Sequence, residues 1–284
     1  MAKFLLISVL IALAVMSEGL SLKKLLNRRD PFPSEPENPP SPKNVVWGNI
    51  TQQLDHFDLT NDATWTQRYL MNGEFFREGG AIFVFLAGEW SITPYRLENS
   101  LMADLARELN GYMFYLEHRY YGESRPTEDV SDANLQFLTS EQALADVAHF
   151  VAHIKSNSVT PGARDSPVIV IGGHYSGSLA IFFRQKYPHL SLGAWASSAP
   201  LLSIVDHFQY KELAGAVYRQ VGGAECYNVL QRGFAQTEQM LDDGLDDEVE
   251  EIFHLCGDIE TEQDRQIFFA TMSAFYSLLA QFDE

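Results

Sequence analysis

Short apolar segments alternate with amphipathic helical stretches through the first two thirds of the chain. Three segments are apolar on nearly every residue and are bounded by glycine, proline or a charged residue: 80–88, 111–117 and 167–172. Such segments are typical of strands buried on both faces of a parallel sheet. Helical periodicity is present in 101–109 and 140–156, and Thr139 has the spacing of a capping box with Gln142. The alternation of strand and helix predicts a doubly wound α/β fold with a mostly parallel sheet.

Two weaker strand patterns and a long helical region complete the pattern. Segments 66–71 and 194–198 are predicted strands, and the Asn72-Gly73 pair after the first is a hairpin-turn signal. From residue 205 onwards only helical periodicity is present, with many acidic residues between 242 and 251. Such an acidic run is typical of a solvated helix surface.

The first residues have the pattern of a secretory signal peptide. A basic start is followed by an apolar run over 4–15, and the small residues Ser17 and Gly19 stand where cleavage is determined. The run is too short for a stable membrane span. We therefore expect a protein of the secretory pathway, either secreted or lysosomal.

Composition changes along the chain predict four regions. The segment after the signal peptide is rich in proline, which indicates an extended linker or a removable pro-segment. The predicted regions are a signal peptide over 1–19, the linker over 20–46, the sheet-forming domain over 47–204 and a helical region over 205–284.

The net charge excludes two classes of partner. The chain of 284 residues carries a formal charge of -18, and 46% of its residues are hydrophobic. Such an acidic surface repels phosphate backbones and anionic lipids, so we expect neither nucleic-acid nor membrane binding.

Two further features concern the secretory environment. Asn49-Ile50-Thr51 is an acceptor for N-linked carbohydrate, so Asn49 is a predicted glycosylation site. Cys226 and Cys256 are the two cysteines, and an even number favours one disulfide between them in an oxidising compartment. Two buried free thiols are the alternative.

No metal or cofactor is expected. His149 and His153 have a spacing that can bind zinc on a helix, but no third ligand lies nearby in the sequence. The glycines around 172–177 are not followed by the Lys-Ser/Thr of a phosphate-binding loop.

The third buried strand runs into a tight turn that is typical of a nucleophile elbow. It ends in IGGHYSGS over 171–178, and the residues after 178 have a helical pattern. Strand, glycine-rich turn and helix form the elbow of α/β-hydrolases, with the nucleophile at the apex and the N–H of the next residue facing the oxyanion. The apex here is His174, and the N–H of Tyr175 is the predicted oxyanion donor.

At this point the chain resembles the prolyl carboxypeptidase family of serine peptidases, which includes dipeptidyl peptidase II and thymus-specific serine protease. The resemblance is carried by GGHYSGSLAIFFRQKYPHLSLGAWASSAPLL (Gly172–Leu202), QQLDHFD (Gln52–Asp58), QRYLMN (Gln67–Asn72), LEHRYYGESRP (Leu116–Pro126) and LTSEQALADVAHFV (Leu138–Val151). It implies an α/β-hydrolase with a helical insertion, of which 205–284 is a partial helical cap. The implied activity is cleavage of peptides next to proline or removal of short N-terminal peptides. A peptide, with or without proline, is thus the implied partner.

Three departures from the family pattern bear on activity. The family carries serine where His174 stands, and Ser176, two residues on, is the substitute nucleophile that we weigh against it. The loop Gly88-Glu89-Trp90 corresponds to a glycine-rich loop that lies near the oxyanion hole, so we name these three residues as pocket candidates. We expect the family's catalytic acid and base, and the last strands of the sheet, in sequence that this chain does not contain.

Three hypotheses follow from these departures. The first is a secreted peptidase homologue that is catalytically impaired. The second is an active peptidase represented here by a truncated product, and the third is a non-catalytic peptide-binding protein. A sheet without its last strands exposes an edge and apolar surface, so we also expect association, of which a homodimer is one form.

Overall fold

The structure is a computed structural model that describes residues 35–36, 39–156 and 158–282. The predicted signal peptide lies outside these residues, as do residues 20–34 of the predicted linker.

A single sheet organises the first part of the described chain. Its strands are β1 (Val46–Gln53), β2 (Thr64–Asn72), β3 (Ile82–Leu86), β4 (Tyr112–Leu116), β5 (Val168–Gly173) and β6 (Gly193–Ser197). Their spatial order is β1-β2-β4-β3-β5-β6. The pairs β1–β2 and β2–β4 are antiparallel, whereas β4, β3, β5 and β6 are parallel to one another.

The predicted buried strands form the centre of this sheet. Val84 of β3 lies opposite Phe114 of β4 and Val170 of β5, and all three side chains are fully buried. The register explains why these strands are apolar on both faces, since helices cover each side.

Nine helices are present within the described residues. They are α1 (Pro94–Glu98), α2 (Leu101–Glu108), α3 (Asp132–Leu135), α4 (Ser140–Ile154), α5 (Tyr175–Lys186), α6 (Gln209–Val221), α7 (Gly223–Asp242), α8 (Asp246–Phe253) and α9 (Glu262–Phe282). The predicted cap of α4 is confirmed, because the Thr139 hydroxyl accepts a hydrogen bond from the Gln142 N–H at 3.2 Å.

Successive residues of the central strands enter two different cores. On one face Val84 packs with Phe150 of α4 and Phe183 of α5. On the other face Phe83 packs with Met102 of α2. The result is a layer of helices on each side of the sheet, with a nucleophile elbow after β5, which is the α/β-hydrolase fold that the sequence predicted.

The described residues divide into two compact units, 35–203 and 204–282. The second unit contains α6 to α9, and its own core is formed by Leu241, Val249 and Phe268 with partly buried neighbours. Within the part of the chain that the structure describes, we find no helix with the length and apolarity that a membrane span requires.

Two details of the sheet differ from the sequence predictions. Asn72-Gly73 does not form a hairpin turn, because β2 pairs with β1 and β4 and not with the next strand, β3. The Asn72 side chain instead accepts a hydrogen bond from the Glu74 N–H. Strand β1 was not predicted, because only alternate residues such as Ile50 and Gln52 are buried and the strand depends on pairing with β2.

The predicted disulfide is not formed in the structure. Cys226 and Cys256 are free thiols, with Cys226 partly buried and Cys256 exposed. Cys226 lies in the first turn of α7 and Cys256 in the turn after α8, so each belongs to a different local segment of the helical unit.

Candidate active site

The turn between β5 and α5 has the backbone of a nucleophile elbow. His174 at its apex adopts φ 57 and ψ -128, a region that strains residues with a side chain. Its N–H donates a hydrogen bond to the Ser197 carbonyl at the end of β6, at 3.0 Å. The neighbouring strand thus holds the apex in its strained conformation.

Glycines at two positions allow the chain to turn this sharply. A Cβ added to Gly172 would lie 2.0 Å from the Ser176 carbonyl oxygen, which is far inside van der Waals contact. A Cβ on Gly177 would lie 3.1 Å from the Ser197 carbonyl oxygen. The first contact is with fixed backbone, so Gly172 permits the close approach of β5 to α5.

The apex side chain is an exposed imidazole. His174 is exposed, whereas Gly172 before it and Ser176 after it are buried. Tyr175 begins α5, so its N–H is among the first four of the helix, for which the helix itself supplies no acceptor. The apex residue therefore lacks a hydroxyl, and the N–H that follows it stands at the N-terminus of a helix.

Ser176 is occupied by a local hydrogen-bond pair. Its hydroxyl donates to the Gly173 carbonyl at 3.0 Å and accepts from the Gly173 N–H at 3.1 Å. The residue is fully buried. Both bonds must break before this hydroxyl can face a substrate, so the geometry does not favour Ser176 as a nucleophile.

Tyr175 connects the elbow to the end of β4. Its hydroxyl lies 3.2 Å from Nε2 of His118, whose Nδ1 lies 2.7 Å from the Arg119 carbonyl oxygen. Because a carbonyl only accepts, Nδ1 of His118 carries the proton and the Tyr175 hydroxyl donates to Nε2. Burial lowers the pKa of His118, and burial together with the nearby Tyr121 and Glu89 raises the pKa of Tyr175 to about 12.

Glu117 belongs to the first of two ion pairs that order the loop after β4. Its carboxylate accepts hydrogen bonds from Arg68 at 2.7 and 2.9 Å and from the Ser124 hydroxyl at 2.8 Å. It also accepts from the Ile92 N–H at 3.2 Å, which joins this loop to the loop after β3. The absence of a side chain at Gly122 leaves room for this carboxylate, since a Cβ there would lie 2.0 Å from it.

Arg119 and Asp146 form the second buried ion pair. Nε and Nη2 of Arg119 lie 2.7 and 2.8 Å from the two oxygens of Asp146, and Nη1 donates to the Phe137 carbonyl at 2.9 Å. Nε2 of His56 also lies 2.7 Å from Asp146. The polar frame, defined here as Arg68, Glu117, His118, Arg119 and Asp146, therefore supports the loop beside the elbow through ion pairs.

An apolar cavity of about 490 Å³ lies next to the elbow. Phe85, Ile171 and Trp195 contribute apolar surface, and the backbone of Gly172 and Gly173 forms part of its wall. Its volume lies in the range of small-molecule and peptide side-chain sites.

A profile of the serine carboxypeptidase S28 family matches residues 52–284. This chain belongs to that family. The match contains the whole elbow and the polar frame, and it confirms the family that the sequence motifs indicated.

Curated relatives are more than a third identical to this chain over the residues that align. Human lysosomal Pro-X carboxypeptidase is 36% identical over 244 residues, which cover 83% of this chain and 48% of the relative. The Bos taurus protein of the same name is 37% identical over 225 residues, which cover 76% of this chain and 44% of the relative. The chain thus spans about half the length of the curated relatives that it matches.

A solved structure with a related fold has lower sequence identity to this S28 chain. A proline iminopeptidase from Mycobacterium smegmatis is 17% identical, with a TM-score of 0.42 over 81% of this chain and 69% of that chain.

The loop after β3 places its three candidate residues in different environments. Trp90 is buried in the core beside α2, and its indole N–H donates to the Tyr115 hydroxyl at 2.7 Å. Gly88 is buried against the Trp90 ring, whereas Glu89 is exposed. Of the three, Glu89 carries a charge, and this charge contributes to the raised pKa of Tyr175 in the elbow.

The two helical histidines have other contacts. Nδ1 of His149 lies 2.8 Å from the Gln52 side-chain oxygen, and the ring of His153 packs against Tyr69. Burial lowers the pKa of both histidines. In the described ranges, no group of three His, Cys, Asp or Glu side chains is arranged to hold a metal ion.

The sequence reasoning did not find the contact between His118 and Tyr175. Both residues lie in quoted family motifs, but they are 57 residues apart. The parallel pairing of β4, β3 and β5 brings the carboxyl ends of these strands together at one edge of the sheet. The sequence signal for this contact is that each of the two residues follows a predicted buried strand.

Proposed function

We propose that this chain is an S28-family protein of the secretory pathway whose acyl-transfer activity at the elbow is absent or severely reduced. One observation carries the proposal: the apex with nucleophile geometry holds His174 in place of an alcohol or thiol. An elbow of this type uses the apex hydroxyl to form the covalent acyl intermediate. Ser176, which we considered as its substitute, is buried and bonded to Gly173.

The ligand class is inferred from the relatives. The human and bovine relatives are named lysosomal Pro-X carboxypeptidases. We infer that peptides with a proline residue are the ligands of this chain. The lysosomal relatives and the signal-peptide pattern of the first residues together support location in the secretory pathway, in the lysosome or outside the cell.

A fluorophosphonate probe tests the loss of the nucleophile directly. The protein secreted from cells that express its gene is treated with the probe and then mapped by mass spectrometry. We expect no adduct on residues 174–178 and no hydrolysis of Pro-X dipeptide substrates. Human lysosomal Pro-X carboxypeptidase is the positive control for probe and substrates.

A Ser176→Ala variant tests whether Ser176 is the residue that the probe labels. If the wild-type protein is labelled and the variant is not, Ser176 is a nucleophile and the proposal is wrong. An adduct on the His174 imidazole would overturn it equally.

The cavity beside the elbow favours peptide binding without turnover as a second function. Its apolar surface from Phe85, Ile171 and Trp195 suits a proline ring, which has no polar group to satisfy. Titration calorimetry with a proline-containing peptide measures this binding. Trp195→Ala should weaken it more than Trp47→Ala, since Trp47 lies on β1 outside the cavity. Absence of any peptide binding by the wild-type protein would end this second proposal.

A further inference from the structure

Strand β1 is an edge of the sheet. All eight of its residues pair with β2, from Val46 opposite Met71 to Gln53 opposite Thr64. In the part of the chain that the structure describes, β2 is the only strand that pairs with β1. Its outer side therefore presents backbone N–H and C=O groups that a strand of a second molecule can use.

Two usual protections of an edge strand, charge and proline, are missing from the sequence of β1. Its sequence, VWGNITQQ, contains no charged residue and no proline. Val46 is 52% exposed and Trp47 is 46% exposed. A long, uncharged and partly apolar edge of this kind is a site of strand-to-strand association unless something else covers it.

The carbohydrate acceptor lies in the middle of this strand. Asn49 and Thr51 are exposed, whereas Ile50 between them is 5% exposed and Gln52 is fully buried. Because side chains alternate along a strand, Asn49 and Thr51 stand on the same outward face as Trp47. The folded structure thus leaves the acceptor side chain free to carry a large group.

We propose that an N-linked oligosaccharide on Asn49 protects β1 from pairing with a second copy of the chain. A carbohydrate is bulky and hydrated, so it blocks approach to the edge and covers Trp47 without a charge in the strand. The inference rests on the proposed passage through the secretory pathway, where the modification takes place.

The modification is a group transfer from an oligosaccharide linked to a polyisoprenyl pyrophosphate. The Asn49 amide nitrogen forms a bond to the anomeric carbon of the first sugar and loses one proton. The bond between that carbon and the pyrophosphate oxygen breaks, and the polyisoprenyl pyrophosphate leaves with the bonding electrons. No change of oxidation state occurs.

Variants at Thr51 test the modification and its role separately. Thr51→Ser keeps the acceptor sequence, whereas Thr51→Ala and Thr51→Lys remove it. The lysine variant also adds a charge to the outward face of β1. The protein is expressed in secreting cells, both with its own first residues and behind a heterologous secretion signal, and is then treated with peptide N-glycosidase.

We expect a mobility shift on deglycosylation of the wild-type and Thr51→Ser proteins and no shift for Thr51→Ala, Thr51→Lys or Asn49→Gln. If the protein behind the heterologous signal shows no carbohydrate on Asn49, the inference is wrong. If only the protein with its own first residues lacks it, the proposed location fails and the acceptor site stands.

Light scattering measures the protective role. Pairing of two copies through β1 gives an isologous dimer, so the mass of Thr51→Ala should rise about twofold over the glycosylated wild type at equal concentration. Thr51→Lys should remain at the wild-type mass, since a lysine on an edge strand opposes pairing. Equal masses for the wild type and Thr51→Ala, with circular dichroism showing both folded, would show that the carbohydrate does not protect β1.

Discussion

The elbow apex and the polar frame lie side by side and differ in how they are held. Glu117 and Arg119 of the frame are fully buried, and each has a charged partner within hydrogen-bond distance. The apex residue His174 is exposed and strained, and its backbone is held by Ser197 of the neighbouring strand. The frame therefore depends on contacts between its side chains, whereas the apex is held through its backbone.

The largest effect is expected when the frame loses one charge. Asp146→Ala leaves the Arg119 guanidinium buried without its partner, and breaking a buried pair in this way costs about 3–5 kcal/mol. Urea unfolding followed by circular dichroism measures the loss. Asp104→Ala is the control, because the pair with Arg107 is exposed and contributes less than about 1 kcal/mol. Similar losses for the two variants would contradict the role given to the frame.

A methyl group at the base of the elbow should have the next largest effect. In Gly172→Ala the new Cβ meets the Ser176 carbonyl at 2.0 Å, and the backbone must move. We expect a loss of about 3 kcal/mol, the upper end of overpacking costs. Gly177→Ala is the matched control, with a nearest contact of 3.1 Å and an expected loss below about 1 kcal/mol. Equal losses in denaturant unfolding would show that Gly172 is not required for the close approach.

His118 should make the stability of the fold depend on pH. Its pKa in the folded protein lies below the ordinary 6.5 because the ring is buried, so the unfolded chain takes up a proton first. The neutral ring thus contributes stability above about pH 6.5, and this is lost as the pH falls towards the folded pKa, by at most about 1.4 kcal/mol per pH unit.

The His118→Gln variant isolates this contribution. Glutamine retains a donor and an acceptor but does not titrate, so the fall in unfolding free energy between pH 7 and 5 should be smaller than in the wild type. His149 and His153 remain in both proteins and contribute equally. An unchanged pH dependence would mean that His118 is protonated as easily in the folded protein as in the unfolded chain.

The smallest effect concerns the apex itself and has the opposite sign. His174→Gly removes a side chain from a backbone region that glycine adopts without strain, so we expect a gain of about 1 kcal/mol in unfolding free energy. His189→Gly is the control, since His189 is also exposed and does not have a positive φ. That variant should lose up to about 1 kcal/mol. A loss at position 174 as well would indicate that the imidazole makes a stabilising contact.

The polar frame shows where sequence reasoning reached its limit. Glu117 and Arg119 lie in the motif LEHRYYGESRP, at the end of a predicted buried strand. Their partners Arg68 and Asp146 stand 49 and 27 residues away in the chain, and no local pattern connects them. The Asn72-Gly73 signal was misleading for the same reason, since the pairing of β2 is decided by the position of β3 at the centre of the sheet.

The amino-acid sequence by itself determined the buried strands, the elbow after β5, the S28 family and the absence of serine at its apex. These are properties of short segments, so hydrophobic periodicity and motif spacing are sufficient to predict them. Only the tertiary structure decided that the Ser176 hydroxyl is bonded to Gly173, that Tyr175 donates to His118, and that Asn49 lies on a strand that pairs only with β2 among the described strands. Each of these depends on which segments meet in space, and that is settled by packing over the whole sheet.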